Sequence, residues 1–365
     1  MIANQLINSC IQELKEISKV DFAVLELDGT AIASTMDNVN ISPLSVRSFI
    51  DSTADSQVIG DYHLFRILDD DVTAYVLMAS GTSDNAYLMG RVAVSELGHL
   101  MEAYKEKLDR NNFFQNLLLD NMLLVDIYNR AKKLHIRPDV RRAVFIIEAQ
   151  IKDTNDNSAV EIVRSLFSDM TGDFVTAVDE KEVILIKSLA DAIDEDEMLE
   201  STAATIVDMM SSEAMISARV AYGTAVNEIR EVSKSYKEAR MALDVGKIFY
   251  AERNVASYAS LGIGRLIYQL PENLCQIFLN EIFGENIPDH MDEETLLTIN
   301  KFFENNLNVS ETSRQLFIHR NTLVYRIEKI EKASGLDIRS FEDALTLKIA
   351  LMVVKYMDYM ESQEF

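Results

Sequence analysis

Asn308-Val-Ser-Glu-Thr-Ser-Arg-Gln-Leu-Phe-Ile-His-Arg-Asn-Thr-Leu-Val-Tyr-Arg-Ile-Glu-Lys-Ile330 reads as two short helices joined by a tight turn. Ser310 is suited to cap a first helix running through Leu316, and His319 or Asn321 to start a second that ends near Lys332. Gly335 then serves as a C-terminal cap. Val309, Leu316, Ile318, Leu323, Ile327 and Ile330 fall where they can share one core, with small Ser313 where two helices must approach closely. Arg320, Asn321, Thr322, Tyr325 and Arg326 are left for the outward face of the second helix, a set able to meet phosphates and base edges. The stretch is a helix-turn-helix.

Around it, 365 residues provide enough chain for two or three cores, and 48% apolar with 26% charged residues excludes a disordered protein. Cys10 and Cys275 stand in no metal-like spacing, which fits a reducing compartment. The start, Met-Ile-Ala-Asn-Gln-Leu-Ile, has neither the positive region nor the cleavage site of a secretory signal, and no apolar run reaches the ~20 residues needed to span a bilayer. A cytoplasmic, nucleoid-associated protein is expected. The net charge of −24 opposes contact with DNA. It is unevenly spread: residues 295 to 340 hold seven Lys/Arg and five Asp/Glu, a net of +2, leaving −26 elsewhere, notably at Asp191 to Glu200. A weakly basic reader on an acidic body needs paired half-sites and therefore a homodimer.

From the N-terminus, Ile2, Leu6, Cys10, Ile11, Leu14 and Ile17 form a helical stripe. Asp21 to Leu27, the turn Asp28-Gly29 and Thr30 to Ser34 predict a hairpin. Tyr62 to Leu68 and Val72 to Ala79, split by Asp69-Asp-Asp71, predict a second, with one more short strand expected from Ala86. This is an α/β sensor-like domain over 1–91. A helical linker follows over 92–136, where Leu97, Met101, Tyr104 and Leu108 suit either a paired helix or packing on the helix's own domain, with Asn111 and Gln115 on the same stripe.

Over 137–260 the order is strand (143–150), helix (159–170), strand (173–178), strand (183–187), helix (197–211), strand (215–222), with a further helix from Val226 to about Ile248. This β-α-β-β-α-β order is the split βαβ arrangement of ferredoxin-like and nucleotide-cyclase-like domains. A cyclase needs metal-holding carboxylates. The first strand offers Glu148 and Asp153, but the hairpin Asp179-Glu-Lys-Glu182 has no glycine pair to admit a phosphate. The domain is expected to be catalytically silent, with solvated turn carboxylates. A connector over 261–294, with one helix at Asn273 to Phe283, leads to an all-α domain over 295–365 that ends in the apolar helix Phe341 to Tyr359.

Leu307 to Ala350 closely resembles the C-terminal helix-turn-helix of the PucR and sugar-diacid-regulator (CdaR) family of bacterial transcription factors. His319-Arg-Asn-Thr-Leu-Val-Tyr-Arg-Ile327 is similar to the family's His-Arg-Asn-Thr-x-x-Tyr-Arg-Leu signature, and Gly335-Leu-Asp337 and Ala344 to Ala350 match downstream. Ser235-Tyr-Lys-Glu-Ala-Arg-Met-Ala-Leu243 resembles the Ser-Tyr-x-Glu-Ala stretch of the family's degenerate GGDEF-like domain. Asp28 to Ser34 looks like the hairpin of its sugar-diacid recognition domain, one residue short before Gly29. Ser313 stands where Ala is usual, and Phe317 where many helix-turn-helix turns have glycine. The resemblance implies an α+β multidomain regulator with no cofactor and no metal, not an enzyme, that binds double-stranded operator DNA and a small-molecule effector.

Arg320, Asn321 and Thr322 are the candidate base readers, with Tyr325, Arg326 and Lys329 on phosphates; helix capping alone is the competing role for Asn321 and Thr322. Arg314 reads equally well as a solvated charge. The effector candidates are Ser34, Arg47, His63, Arg66, Tyr75 and Arg91, whose arginines favour an anionic ligand. Two other readings stand beside the regulator: a nucleotide-binding or cyclase-type signalling protein using the middle domain, and a regulator acting through protein partners.

Overall fold

The structure, a computed structural model, describes residues 4–69, 72–150, 158–167, 172–177, 182–284 and 293–363. It divides into two units, Met1–Phe114 and Gln115–Phe365.

The first unit contains α1 (Asn4–Ser18), β1 (Phe22–Leu25), β2 (Ala31–Ser34), α2 (Pro43–Asp51), β3 (Ser56–Ile59), β4 (Tyr62–Asp69), β5 (Val72–Ser80) and most of α3 (Asp84–Leu118). The expected Asp28-Gly29 bend joins β1 to β2. Gly29 adopts a φ of 90°, and the Asp28 carboxylate accepts the Thr30 N–H at 2.8 Å. The sheet runs β2-β1-β5-β4-β3, every pair antiparallel. Both faces are buried. Phe22, Val24, Phe65, Ile67, Tyr75, Leu77 and Ala79 meet Ile7 and Ile11 of α1 and Ala86, Ala93 and Leu97 of α3. The alternate positions, Ala23, Leu25, Leu64, Val76 and Met78, meet Val46 and Phe49 of α2. This alternation follows from the two-residue period of a strand.

Two differences from the sequence expectation stand out in this unit. No strand forms at Ala86, because that residue is already buried on the first turn of α3. Gly90 allows that helix to lie flat on β4: a Cβ there would sit 2.2 Å from the Phe65 ring. Second, α2 and the edge strand β3 were not foreseen. Of the two roles left open for the helical seam, Leu97, Met101 and Tyr104 take the second and pack on the unit's own core. Residues 70 and 71 of the second hairpin lie outside the described residues.

The second unit begins with α4 (Leu124–Lys133) and then shows the expected alternation: β6 (Arg142–Ala149), α5 (Ser158–Leu166), β7 (Phe174–Ala177), β8 (Glu182–Ser188), α6 (Glu195–Glu213), β9 (Ala218–Tyr222) and α7 (Val232–Phe249). β9-β6-β8-β7 is the antiparallel order of the split βαβ fold. Ala143, Phe145, Ile147, Val183, Leu185 and Val220 form one buried face under α5 and α6. β10 (Val255–Ser257), which the sequence did not announce, extends this sheet parallel to β9.

The Ser-Tyr-x-Glu-Ala motif is the joint between α7 and this sheet. Ser235, fully buried, accepts the Val144 N–H at 3.0 Å and donates to the Thr224 carbonyl at 2.8 Å. Glu238 accepts both the backbone N–H and the hydroxyl of Thr224. Gly223 lets α7 approach: a Cβ on it would lie 2.1 Å from the Ser235 carbonyl oxygen. These residues secure a close helix–sheet contact.

α8 (Gly264–Ile267), α9 (Glu272–Phe283), α10 (Glu293–Glu304), α11 (Val309–Gln315), α12 (Arg320–Ser334) and α13 (Phe341–Gln363) complete the unit. Cys275, Leu279 and Phe283 of α9 share a core with Ile299, Phe302, Leu323, Ile327, Leu347 and Val353. The helix expected at Asn273 to Phe283 is α9, and it packs into the core of the C-terminal helices.

Candidate nucleic-acid interface

α11 and α12 form the helix pair that the sequence indicates, with one change at its ends. Asn308, not Ser310, caps α11, its side-chain oxygen accepting the N–H groups of Ser310 at 3.0 Å and Glu311 at 3.1 Å. His319 caps α12, its Nδ1 accepting the Asn321 N–H at 3.2 Å. Gly335 closes α12 in the left-handed conformation with a φ of 73°. Between the helices, Phe317 takes the position glycine often fills, at a φ of 55°, and its side chain is 95% exposed. A bulky L-residue in that region is strained, and an exposed ring returns no burial energy to the fold.

Leu323, Ile327 and Ile330 bury one side of α12 in the core. Arg320, Asn321, Thr322 and Tyr325 are exposed on the first two turns. Because His319 supplies the cap, the side chains of Asn321 and Thr322 are not spent on it, and neither these two nor Arg320 makes a side-chain hydrogen bond among the described residues. They form a polar ridge open to solvent at the end of a helix where duplex-reading side chains stand. Lys329 is exposed one turn further along.

Arg326 is placed differently from the outward position the sequence suggests. Its guanidinium turns onto α10, donating to Thr298 Oγ1 at 3.2 Å and pairing with the Glu294 carboxylate, and it is only 20% exposed. The helical pattern put it on the outer face, but a long side chain reaches sideways to a neighbouring helix that spacing alone does not reveal. Arg326→Ala is therefore expected to destabilise the helical domain by about 1 kcal/mol, because Glu294 is mostly exposed and the pair is partly screened. Thermal denaturation followed by circular dichroism should show a fall of roughly 2–4 °C. Arg314 is paired with Glu311 at 2.7 Å, the surface role left open for it.

The six effector candidates do not converge. Arg66 is consumed by the fold, donating to the carbonyls of Phe49, Ile50, Ser52 and Ala54 and to Thr73, with its guanidinium over the Phe49 ring. It closes the C-terminus of α2, a task no local pattern announces. His63 is buried between Phe65 and Tyr87. Ser34 holds a local turn with Met36, Arg47 is exposed on α2 and Arg91 on α3. Tyr75 lines a cavity of about 660 Å³, and Arg47 a separate one of about 390 Å³.

In the middle domain, Glu148 is paired with Lys247 at 2.5 Å and Glu182 with Arg240, both cations projecting from α7. Glu182 and Tyr236 hold Arg240 even more firmly protonated than usual. Asp153 and residues 179–181 lie outside the described residues. Among the described residues no helix is long and apolar enough to cross a membrane.

A helix-turn-helix following a split βαβ domain defines a class of modular regulator-type proteins, and comparison with known proteins specifies which. Residues 295–353 match the PucR C-terminal helix-turn-helix domain, and residues 121–245 match the GGDEF-like domain. The chain belongs to the PucR/CdaR family. It is 25% identical over 257 residues to the purine catabolism regulatory protein of Bacillus subtilis, covering 66% of this chain and 48% of that protein. It is 27% identical over 271 residues to the carbohydrate diacid regulator of Escherichia coli, covering 71% and 68%. A third relative, the proline-responsive transcriptional activator PutR of B. subtilis, is 30% identical over 146 residues, covering 37% of this chain and 34% of its own. The chain thus spans about half the length of the first of these relatives.

Proposed function

We propose that the chain is a cytoplasmic transcriptional regulator that binds operator DNA as a homodimer through α12, under the control of a small molecule sensed by its N-terminal unit. The observation that carries this reading is the exposed Arg320, Asn321 and Thr322 ridge at the start of α12, uncommitted to capping or internal bonds. Arg and Asn at such a position can fork onto guanine and adenine. Two protomers would place two such ridges in successive major grooves, about 34 Å apart. Relatives named as regulators of purine catabolism and of carbohydrate diacids support the reading. Capture of genomic fragments by the purified protein, followed by sequencing, tests it. A shared, two-fold symmetric motif is expected, whereas fragments without common sequence would overturn it.

The ion pairs of Glu148 and Glu182 with α7 support a silent middle domain. A catalytic metal there would have to displace Lys247 or Arg240 from its carboxylate.

A further inference from the structure

We infer that the N-terminal unit holds a small organic cation in the groove bounded by the β1–β2 turn, β5 and α3. The inference deepens the sensor role proposed above and rests on it only for its regulatory consequence. The groove encloses about 660 Å³, within the range of small-molecule sites. Three carboxylates, Glu26, Asp28 and Asp69, line it against a single cation, Lys105. That cation is already engaged, with its Nζ 3.1 Å from Asp69. Glu26 and Asp28 are left as two uncompensated negative charges. The N–H of Thr30 holds the Asp28 carboxyl below the usual carboxylate range, so it stays ionised.

Tyr75 supplies an observation independent of the carboxylates. It lines the groove, is 7% exposed, and its hydroxyl has no hydrogen-bond partner among the described residues. The residue is buried while its hydroxyl keeps solvent contact at the groove, where a ligand's polar group can take the place of water. An ammonium group cannot accept a hydrogen bond from the phenol, but its N–H can donate one to the phenol oxygen. The faces of Tyr75 and Tyr104 add the attraction of an aromatic quadrupole for a cation. Leu27, Met101 and Leu108 provide apolar wall for the ligand's stem.

This reverses the sign of ligand that the sequence suggests. The arginines expected to receive an anion are elsewhere: Arg66 is spent on α2, and Arg47 and Arg91 do not line the groove. A carboxylate entering here would face Glu26 and Asp28 with no free cation to meet it.

The test uses the full chain and two probes of equal length and opposite charge, hexylammonium and hexanoate, in isothermal titration calorimetry. Saturable one-to-one binding of hexylammonium is expected, with hexanoate at least tenfold weaker. The double variant Glu26→Gln, Asp28→Asn should weaken hexylammonium at least tenfold, and Tyr75→Phe about threefold, both variants keeping the native circular dichroism spectrum. Diffuse attraction to an acidic chain would be nearly unchanged by two substitutions in a net charge of −24, so the variants separate a site from a general field. Absence of hexylammonium binding, hexanoate binding as tightly, or indifference to the double variant would overturn the site. A gel shift with and without hexylammonium keeps the two readings apart. Binding that leaves DNA affinity unaltered would remove the sensor role and leave the cation site standing, and DNA binding without hexylammonium binding would do the reverse.

Discussion

Replacing Arg320 and Asn321 together by alanine is expected to weaken binding to the protein's operator about 100-fold or more, with the fold untouched. Each bidentate base contact contributes roughly 1–3 kcal/mol of discrimination, so the loss of two is large. The fold should survive because neither side chain is part of it. Both are exposed, the helix is capped by His319, and the core is held by Leu323, Ile327 and Ile330 on the other side. Gel-shift titration against the recovered operator measures the affinity, and the thermal midpoint should stay within about 2 °C of the parent. Unchanged affinity would mean that DNA is read by another surface. The Arg326→Ala variant provides the contrast, since there the midpoint falls because the side chain braces α12 against α10.

The second large effect is expected in the middle domain. Gly223→Ala would set a methyl group 2.1 Å from the backbone oxygen of Ser235 and 2.7 Å from its Oγ. Backbone cannot rotate aside as a flexible side chain can. Either α7 moves out or β9 bends, and both break the Ser235 bridge between Val144 and Thr224. Overpacking of this severity should cost about 3 kcal/mol or more. Calorimetric unfolding should show a midpoint lower by roughly 10 °C, given about 2–4 °C per kcal/mol for a domain of this size. Gly98→Ala is the matched control. It lies in α3 with nothing within 4 Å of an added Cβ, and a helical alanine is favoured over glycine by about 1 kcal/mol.

The parts legible in the sequence were those with local signals. The β-α-β-β-α-β order could be read because each strand carries its own apolar run and each helix its own period. The two hairpins followed from period-two runs around Asp28-Gly29 and the aspartates after Leu68. The ridge of Arg320, Asn321 and Thr322 was legible because a helix face is set by spacing within a few residues. What escaped depends on partners far along the chain. Ser56–Ile59 and Val255–Ser257 are too short to show a period and become strands only by pairing with β4 and β9. Arg66 resembled a ligand-binding arginine, since nothing near it in sequence reveals four carbonyls 12 to 17 residues away. The cation groove was invisible for the same reason: Glu26, Asp69 and Tyr104 are brought together only by the sheet and α3.

The internal pairing of charges in the helix-turn-helix region bears on how the protein meets DNA at different ionic strengths. Lys301 is held by Glu304, Arg314 by Glu311, Arg326 by Glu294, and Arg339 by Asp337 and Glu331. That is at least four of the seven Lys/Arg between residues 295 and 340. A cation already neutralised by its own chain releases few counterions when it meets a phosphate. The logarithm of affinity should therefore fall with the logarithm of salt concentration by only about 2–3 per protomer, at roughly 0.9 per phosphate engaged. Such a reader holds random sequence weakly and slides little along it. On the reading proposed above, it would locate an operator chiefly by repeated encounters from solution, and its occupancy there would change little as the ionic composition around it changes.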